Sequence, residues 1–141
     1  MSSGAEAPIL RLVLDTSAYS WMRNGHCEVL DLVAGAELVI LPVPVLGELE
    51  AGFELGGRQR ENRATLAEFL AEPFVSVRPA TQDTARRYGE IFGQLRRAGT
   101  PIPVNDIWIA AVTQDCAGRL LTFDHHFQSI PTLATTVLDP A

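Results

Sequence analysis

Short apolar runs recur along this chain with helix-patterned stretches between them, and that alternation leaves few folds open. The first run, Ile9–Leu14, stops abruptly at Asp15-Thr16-Ser17. Glu37–Leu41, Phe74–Val77 and Leu120–Phe123 are similar in length, and Thr135–Leu138 reads as a fifth. Apolar runs this short, bounded by polar and turn residues, are buried strands. The intervening segments carry helical spacing. They cover a turn around Ala18–Arg23 with Thr16 or Ser17 as its N-cap, then Glu28–Ala34 and Val45–Glu54. Further helices are expected over Arg58–Ala71, Thr81–Arg97 and Asn105–Cys116. Pro44 suits the first turn of its helix, while Gly56-Gly57 and Gly99 act as stops. Strands separated by helices imply parallel crossovers and an α/β fold. With 141 residues, the chain makes one domain, expected over residues 9–141 behind a flexible tail at 1–8.

Composition removes several chemistries. All 11 basic residues are Arg, against 17 acids, for a net charge of −6. Without Lys there is no phosphate-loop lysine, no Schiff base and no lysine partner for an acyl phosphate. Cys27 and Cys116 stand alone, so neither a disulfide framework nor a zinc site is expected. Met1–Ala7 carries an acid and no Arg, which is not a signal peptide. Pro42 and Pro44 break the best apolar stretch well short of the ~18 residues of a membrane span. A cytoplasmic protein without a membrane partner is expected.

In an open parallel sheet, ligands bind beyond the carboxyl ends of the strands. Asp15 closes the first strand and Asp124 the fourth, while Glu48 and Asp106 open helices. Any one of these acids alone reads as a helix cap or a favourable charge at a helix start. Four in one layer would repel one another, and a divalent cation removes that conflict. Glu48 shares a helix face with Gly52, and the small face with Gly47 and Gly52 is expected to approach the sheet closely. Glu50 lies about 200° further round, aligned with Glu54 on a solvated face.

Four segments carry a resemblance: Leu14-Asp15-Thr16-Ser17, Glu48-Leu-Glu-Ala-Gly52, Asn105-Asp106-Ile-Trp-Ile-Ala-Ala111 and Leu121-Thr122-Phe123-Asp124-His125-His126-Phe127. In this order and spacing the chain resembles a PIN domain of the VapC ribonuclease-toxin type, from Leu10 to Leu138. The resemblance implies a three-layer, Rossmann-like domain with about five parallel strands flanked by helices. It also implies a Mg²⁺ or Mn²⁺ site, a homodimer and neutralisation by a cognate VapB-type antitoxin. Asp15, Glu48 and Asp106 match the family's core acids, and Asp124 matches its more variable fourth. Thr122 and Ser17 are supporting candidates. His126 falls where the family more often has Asp or His, and is given no catalytic role.

A carboxylate cluster without nearby Lys or Cys suits Mg²⁺ better than zinc, with Mn²⁺ as a substitute. The reaction expected is metal-assisted hydrolysis of an RNA phosphodiester, leaving by analogy a 5′-phosphate and a 3′-hydroxyl. Asp15 and Asp106 would ligate directly. Glu48 and Asp124 would ligate directly or through water, and either could take the attacking water's proton. Any grip on RNA must come from Arg, with Arg58, Arg60 and Arg63, then Arg86-Arg87 and Arg96-Arg97, as candidates. Against these stands the plainer reading of solvated helix faces, such as an Arg86–Glu90 pair. Tyr19, Trp21, Met22, Phe53 and Leu55 are mostly core, with some available to line an antitoxin groove. Receiver and aspartyl-phosphatase folds also place acids at strand ends, but both need the missing Lys. A serine hydrolase needs a GxSxG elbow, which is absent. The surviving rival is a PIN-like module that binds or assembles without catalysis.

Overall fold

The computed structural model describes residues 9–140; the expected tail at 1–8 lies outside them. Five strands form one parallel sheet in the order β3-β2-β1-β4-β5. They are β1 (Arg11–Leu14), β2 (Leu38–Pro42), β3 (Val75–Arg78), β4 (Arg119–Thr122) and β5 (Thr135–Val137). Helices α1 (Thr16–Arg23) and α2 (Cys27–Gly35) link β1 to β2, and α3 (Val43–Leu55) and α4 (Gln59–Leu70) link β2 to β3. Helices α5 (Gln82–Ala98) and α6 (Val104–Asp115) return the chain to β4. Each expected element exists, with ends moved by a residue or two.

The chain runs outward from β1 to β3, then crosses back to start again at β4 on the other side of β1. Right-handed crossovers in opposite directions put their helices on opposite faces, which gives the three-layer α/β architecture. The reversal also opens a crevice at the carboxyl ends of β1 and β4. Strands β1, β2 and β4 read as apolar runs because both faces are covered. Leu12, Val13, Leu14, Leu120 and Leu121 are fully buried, each contributing roughly 1.5–3 kcal/mol of transfer free energy. Helix α6 is equally enclosed through Ile107, Ile109, Ala110, Ala111 and Val112, as its uniformly apolar sequence requires.

Several local contacts fix the frame. Helix α5 opens with a Thr81/Thr84 capping box and ends on Gly99 in the left-handed conformation (φ 71°). Thr84 and Arg87 of α5 both donate to Asp115 at the end of α6, at 2.6 and 3.2 Å. Arg87 is therefore engaged within the fold, and among the described residues Arg86 and Glu90 form no ion pair. Before β4 the backbone passes so close to β1 that a Cβ on Gly118 would stand 2.7 Å from Val13 Cγ2. Of the five apolar residues expected mostly in the core, Tyr19, Met22 and Phe53 are buried and Trp21 is half-buried, but Leu55, in the last turn of α3, is 91% exposed. No helix among the described residues is long and apolar enough to cross a membrane.

Candidate active site

Asp15 leaves the carboxyl end of β1 and caps α1, its Oδ1 accepting from the Ala18 amide at 2.8 Å. The cap is therefore Asp15 and not Thr16 or Ser17, the two candidates the sequence offers. The strand ends one residue earlier than a Ser or Thr cap needs, and a carboxylate suits the exposed N–H groups of a helix start. Ser17 instead donates to the same Asp15 oxygen at 2.7 Å and accepts from the Phe123 amide at 3.0 Å. Because Leu14 pairs with Leu121, the next residue of each strand faces the other. Thr122 Oγ1 thus donates to Asp15 Oδ2 at 2.5 Å, while accepting from the Asp124 amide at 2.9 Å. Both expected supporting hydroxyls are in place. Asp15 is 5% exposed. Burial pushes its pKa above the ordinary carboxylate value, with the Asp124 charge adding to the rise, against the pull of Thr122, Ala18 and Ser17.

The other acids converge on the same crevice. Asp106 stands in the first turn of α6, and the Asn105 amide reaches the Pro44 carbonyl at 3.3 Å, tying the start of α6 to that of α3. Asp124 follows β4 and caps a short 3-10 turn (His125–Ser129), accepting from the His126 amide at 2.9 Å. Burial, then the charges of Asp124 and Glu48, push Asp106 up to about 6, despite a favourable contact with His126. Four acids from four separated segments are thus linked by charge: Asp124 raises both Asp15 and Asp106, and Glu48 raises Asp106, while among the described residues only Asp106, Asp124 and His126 bring ligand atoms within 4.8 Å of one another.

Glu48 reaches this group by a different route from the one its glycines suggested. Gly47 and Gly52 are exposed, and a Cβ at either would meet nothing within 4 Å. The close-approach explanation is wrong, because this part of α3 faces open space rather than the sheet. Thr16, in the first turn of α1, holds Glu48 instead, donating to its Oε1. Thr16, read from the sequence only as a cap candidate, and His126, given no catalytic role, are the site residues that sequence reasoning missed. Both stand beside quoted acids, but only the chain path turns them inward. His126 Nδ1 lies 3.1 Å from Asp124 Oδ1 and 3.5 Å from Asp106 Oδ2.

The remaining acids of α3 do not join. Glu50 and Glu54 both bind Arg63 of α4, at 2.8 and 2.6 Å, and Arg58 binds Glu61 at 2.6 Å. Two of the three Arg proposed for RNA are thus engaged in exposed pairs, leaving Arg60 of that set with no ion pair among the described residues.

A crevice at the topological switch point, lined by carboxylates on the ends of β1 and β4 and the starts of α3 and α6, defines a class of protein. The PIN domain family model matches residues 12–133, and the chain belongs to that family. Its relatives are more specific. Over 123 residues it is 28% identical to Ribonuclease VapC5 of Mycobacterium tuberculosis, covering 87% of this chain and 90% of that protein. In fold it is similar to VapBC2 from Rickettsia felis, solved bound to a promoter DNA fragment (TM-score 0.81, 23% identity, 92% of this chain and 100% of that one). It is similar also to VapBC-5 of Mycobacterium tuberculosis, a VapBC-family toxin–antitoxin structure (TM-score 0.71, 26% identity, 92% and 98%).

Proposed function

We propose that this protein is a metal-dependent endoribonuclease of the VapC type, a toxin that hydrolyses RNA phosphodiesters and is restrained by a VapB-type antitoxin. The observation that carries the reading is the placement of Asp106 and Asp124, whose ligand atoms and that of His126 lie within 4.8 Å of one another, in the crevice that Asp15 and Glu48 border, with Asp106 raised to about 6 by burial and like charge. Its similarity to a named VapC ribonuclease supports the choice of RNA.

The donor set fits Mg²⁺ or Mn²⁺. It is dominated by carboxylate oxygens, contains no thiolate, and carries a charge conflict that a cation relieves. Asp15, Glu48, Asp106 and Asp124 would hold the ion. When bound, it lowers the pKa of water and offsets the negative charge of the phosphate in the transition state. The protein's own part is positioning. Asp15 is immobilised by three donors, so its orientation does not depend on substrate. Glu48 is exposed and accepts from Thr16 at Oε1, which leaves its other oxygen to accept the attacking water's proton. The water oxygen then bonds to phosphorus as the bond to the 3′ oxygen breaks, and that oxygen takes up a proton. The assembly that the sequence resemblance implies is a homodimer, with the antitoxin as second partner.

The test is cleavage of a labelled RNA by the purified protein, with and without chelator. Asp15→Asn and Asp106→Asn should each abolish metal-dependent cleavage in a folded protein. Cleavage at the wild-type rate by the double variant would defeat the assignment. Light scattering of the protein alone and with antitoxin checks the assembly.

A further inference from the structure

The crevice contains a ligand type that a purely carboxylate account leaves out. His126 follows Asp124 by two residues, and the turn capped by Asp124 brings the imidazole back over the acids. Its Nδ1 is 3.1 Å from Asp124 Oδ1 and 3.5 Å from Asp106 Oδ2. Ligand atoms of Asp106, Asp124 and His126 all lie within 4.8 Å of one another. We propose that His126 is a nitrogen ligand of the cation held by Asp106 and Asp124, and that it makes this site prefer Mn²⁺ to Mg²⁺. The inference rests on the metal-dependent reading above and sharpens it.

Geometry favours it first. In an octahedron with bonds of ~2.1 Å, adjacent ligand atoms are about 3.0 Å apart, near the two separations His126 makes. A single Nδ1 carries one hydrogen or one lone pair, so as a hydrogen-bond donor it serves one of these carboxylates well and not both. A cation among the three engages all of them. Charge points the same way: a neutral imidazole adds a ligand without adding a further negative charge beside Asp106 and Asp124. Ligand chemistry then sets the preference. Mg²⁺ demands oxygen and dehydrates reluctantly, whereas imidazole suits transition ions, and Mn²⁺ accepts both donor types. The competing account is a plain hydrogen bond from His126 to the acids, with no bond to metal.

The two accounts differ in a spectroscopic signature. Mn²⁺ is titrated into the full-length protein and followed by electron paramagnetic resonance, with pulsed measurements for coupling to a directly bound nitrogen. Mn²⁺ and Mg²⁺ affinities are measured calorimetrically for wild type, His126→Ala, His126→Asp and Asp106→Asn. Because the His126 side chain is 53% exposed, the two His126 changes should leave folding intact, and Asp106→Asn keeps the side chain's shape; a thermal melt checks all three. The expected result is nitrogen coupling in wild type that His126→Ala abolishes. Mn²⁺ affinity should fall by about tenfold or more in that variant, with little change for Mg²⁺. His126→Asp should lose the coupling and gain Mg²⁺ affinity relative to Mn²⁺. His125 contacts Gln128 at 3.3 Å, so coupling that survives His126→Ala would assign the nitrogen elsewhere and overturn the proposal. Absent coupling in wild type, or an unchanged Mn²⁺/Mg²⁺ ratio in His126→Ala, would overturn it too. If Asp106→Asn still abolishes binding in those cases, the metal site stands and only the role of His126 falls. Failure of wild type to bind Mn²⁺ in a manner sensitive to Asp106→Asn removes both.

Discussion

Thr122 Oγ1 donates to Asp15 Oδ2 at 2.5 Å, joining the carboxyl ends of two neighbouring parallel strands at the point where the sheet reverses direction. The same hydroxyl accepts from the Asp124 amide, so one buried side chain orients two of the four acids. Burial drives the pKa of Asp15 up, and this bond is the largest influence drawing it down.

Thr122→Val keeps the shape and removes the hydroxyl. The Asp15 oxygen and the Asp124 amide then lose a buried partner, at a cost of about 1–3 kcal/mol in urea unfolding. Metal affinity and RNA cleavage should fall roughly 10–100-fold, as for other groups that orient metal ligands. Thr122→Ser should retain both.

Asp15 has a structural and a chemical role, and two variants separate them. Asp15→Asn keeps an oxygen for the Ala18 amide, so the cap survives while metal-dependent cleavage is lost. Asp15→Ala loses the cap as well, which lowers stability by about 1 kcal/mol. Comparing thermal melts with cleavage assays resolves the two.

Asp106 gives the metal-free protein an unusual pH dependence. Its folded pKa, about 6, lies above the model-compound value of 3.8. The folded state therefore binds the proton more tightly, and the stability contributed by this group falls as pH rises from about 4 to 6. Asp15, also raised, acts in the same direction. Without metal, Asp106→Asn should be more stable than wild type at pH 7 and should show a flatter profile between pH 4 and 6. Added Mn²⁺ should stabilise wild type more at pH 7 than at pH 5, where protons compete for the same oxygens. Thermal melts across pH, with and without metal, test each sign.

Gly118 tests the frame rather than the site. Any side chain there meets Val13 at 2.7 Å and the Arg11 carbonyl at 3.2 Å, both in the central strand. Gly118→Ala should destabilise the protein by about 1–3 kcal/mol through overpacking. Cleavage per folded molecule should hold, since the amino ends of the strands are opposite the crevice.

The sequence by itself determined the elements and most of the acids. Strands covered on both faces, here β1, β2 and β4, must be short apolar runs, and crossover helices separate the strands from β1 to β4, so these elements are visible in the hydrophobic pattern. Strand β5, which follows β4 through a single 3-10 turn, is marked by its β-branched residues. Asp15 and Asp124 were legible because a charged residue that ends an apolar run marks the mouth of a parallel sheet. The tertiary structure alone decided which neighbours serve those acids. Asp15 rather than Thr16 caps α1 because of where the strand stops. Thr16 supports Glu48 across 32 positions. Glu50 and Glu54 turn away to Arg63. His126 enters the acid cluster because a capped turn folds it back. Periodicity reports which side of an element faces the core. Hydrogen-bond partners far apart in the chain depend on strand register and on helix starts brought together in space, and no local pattern encodes either.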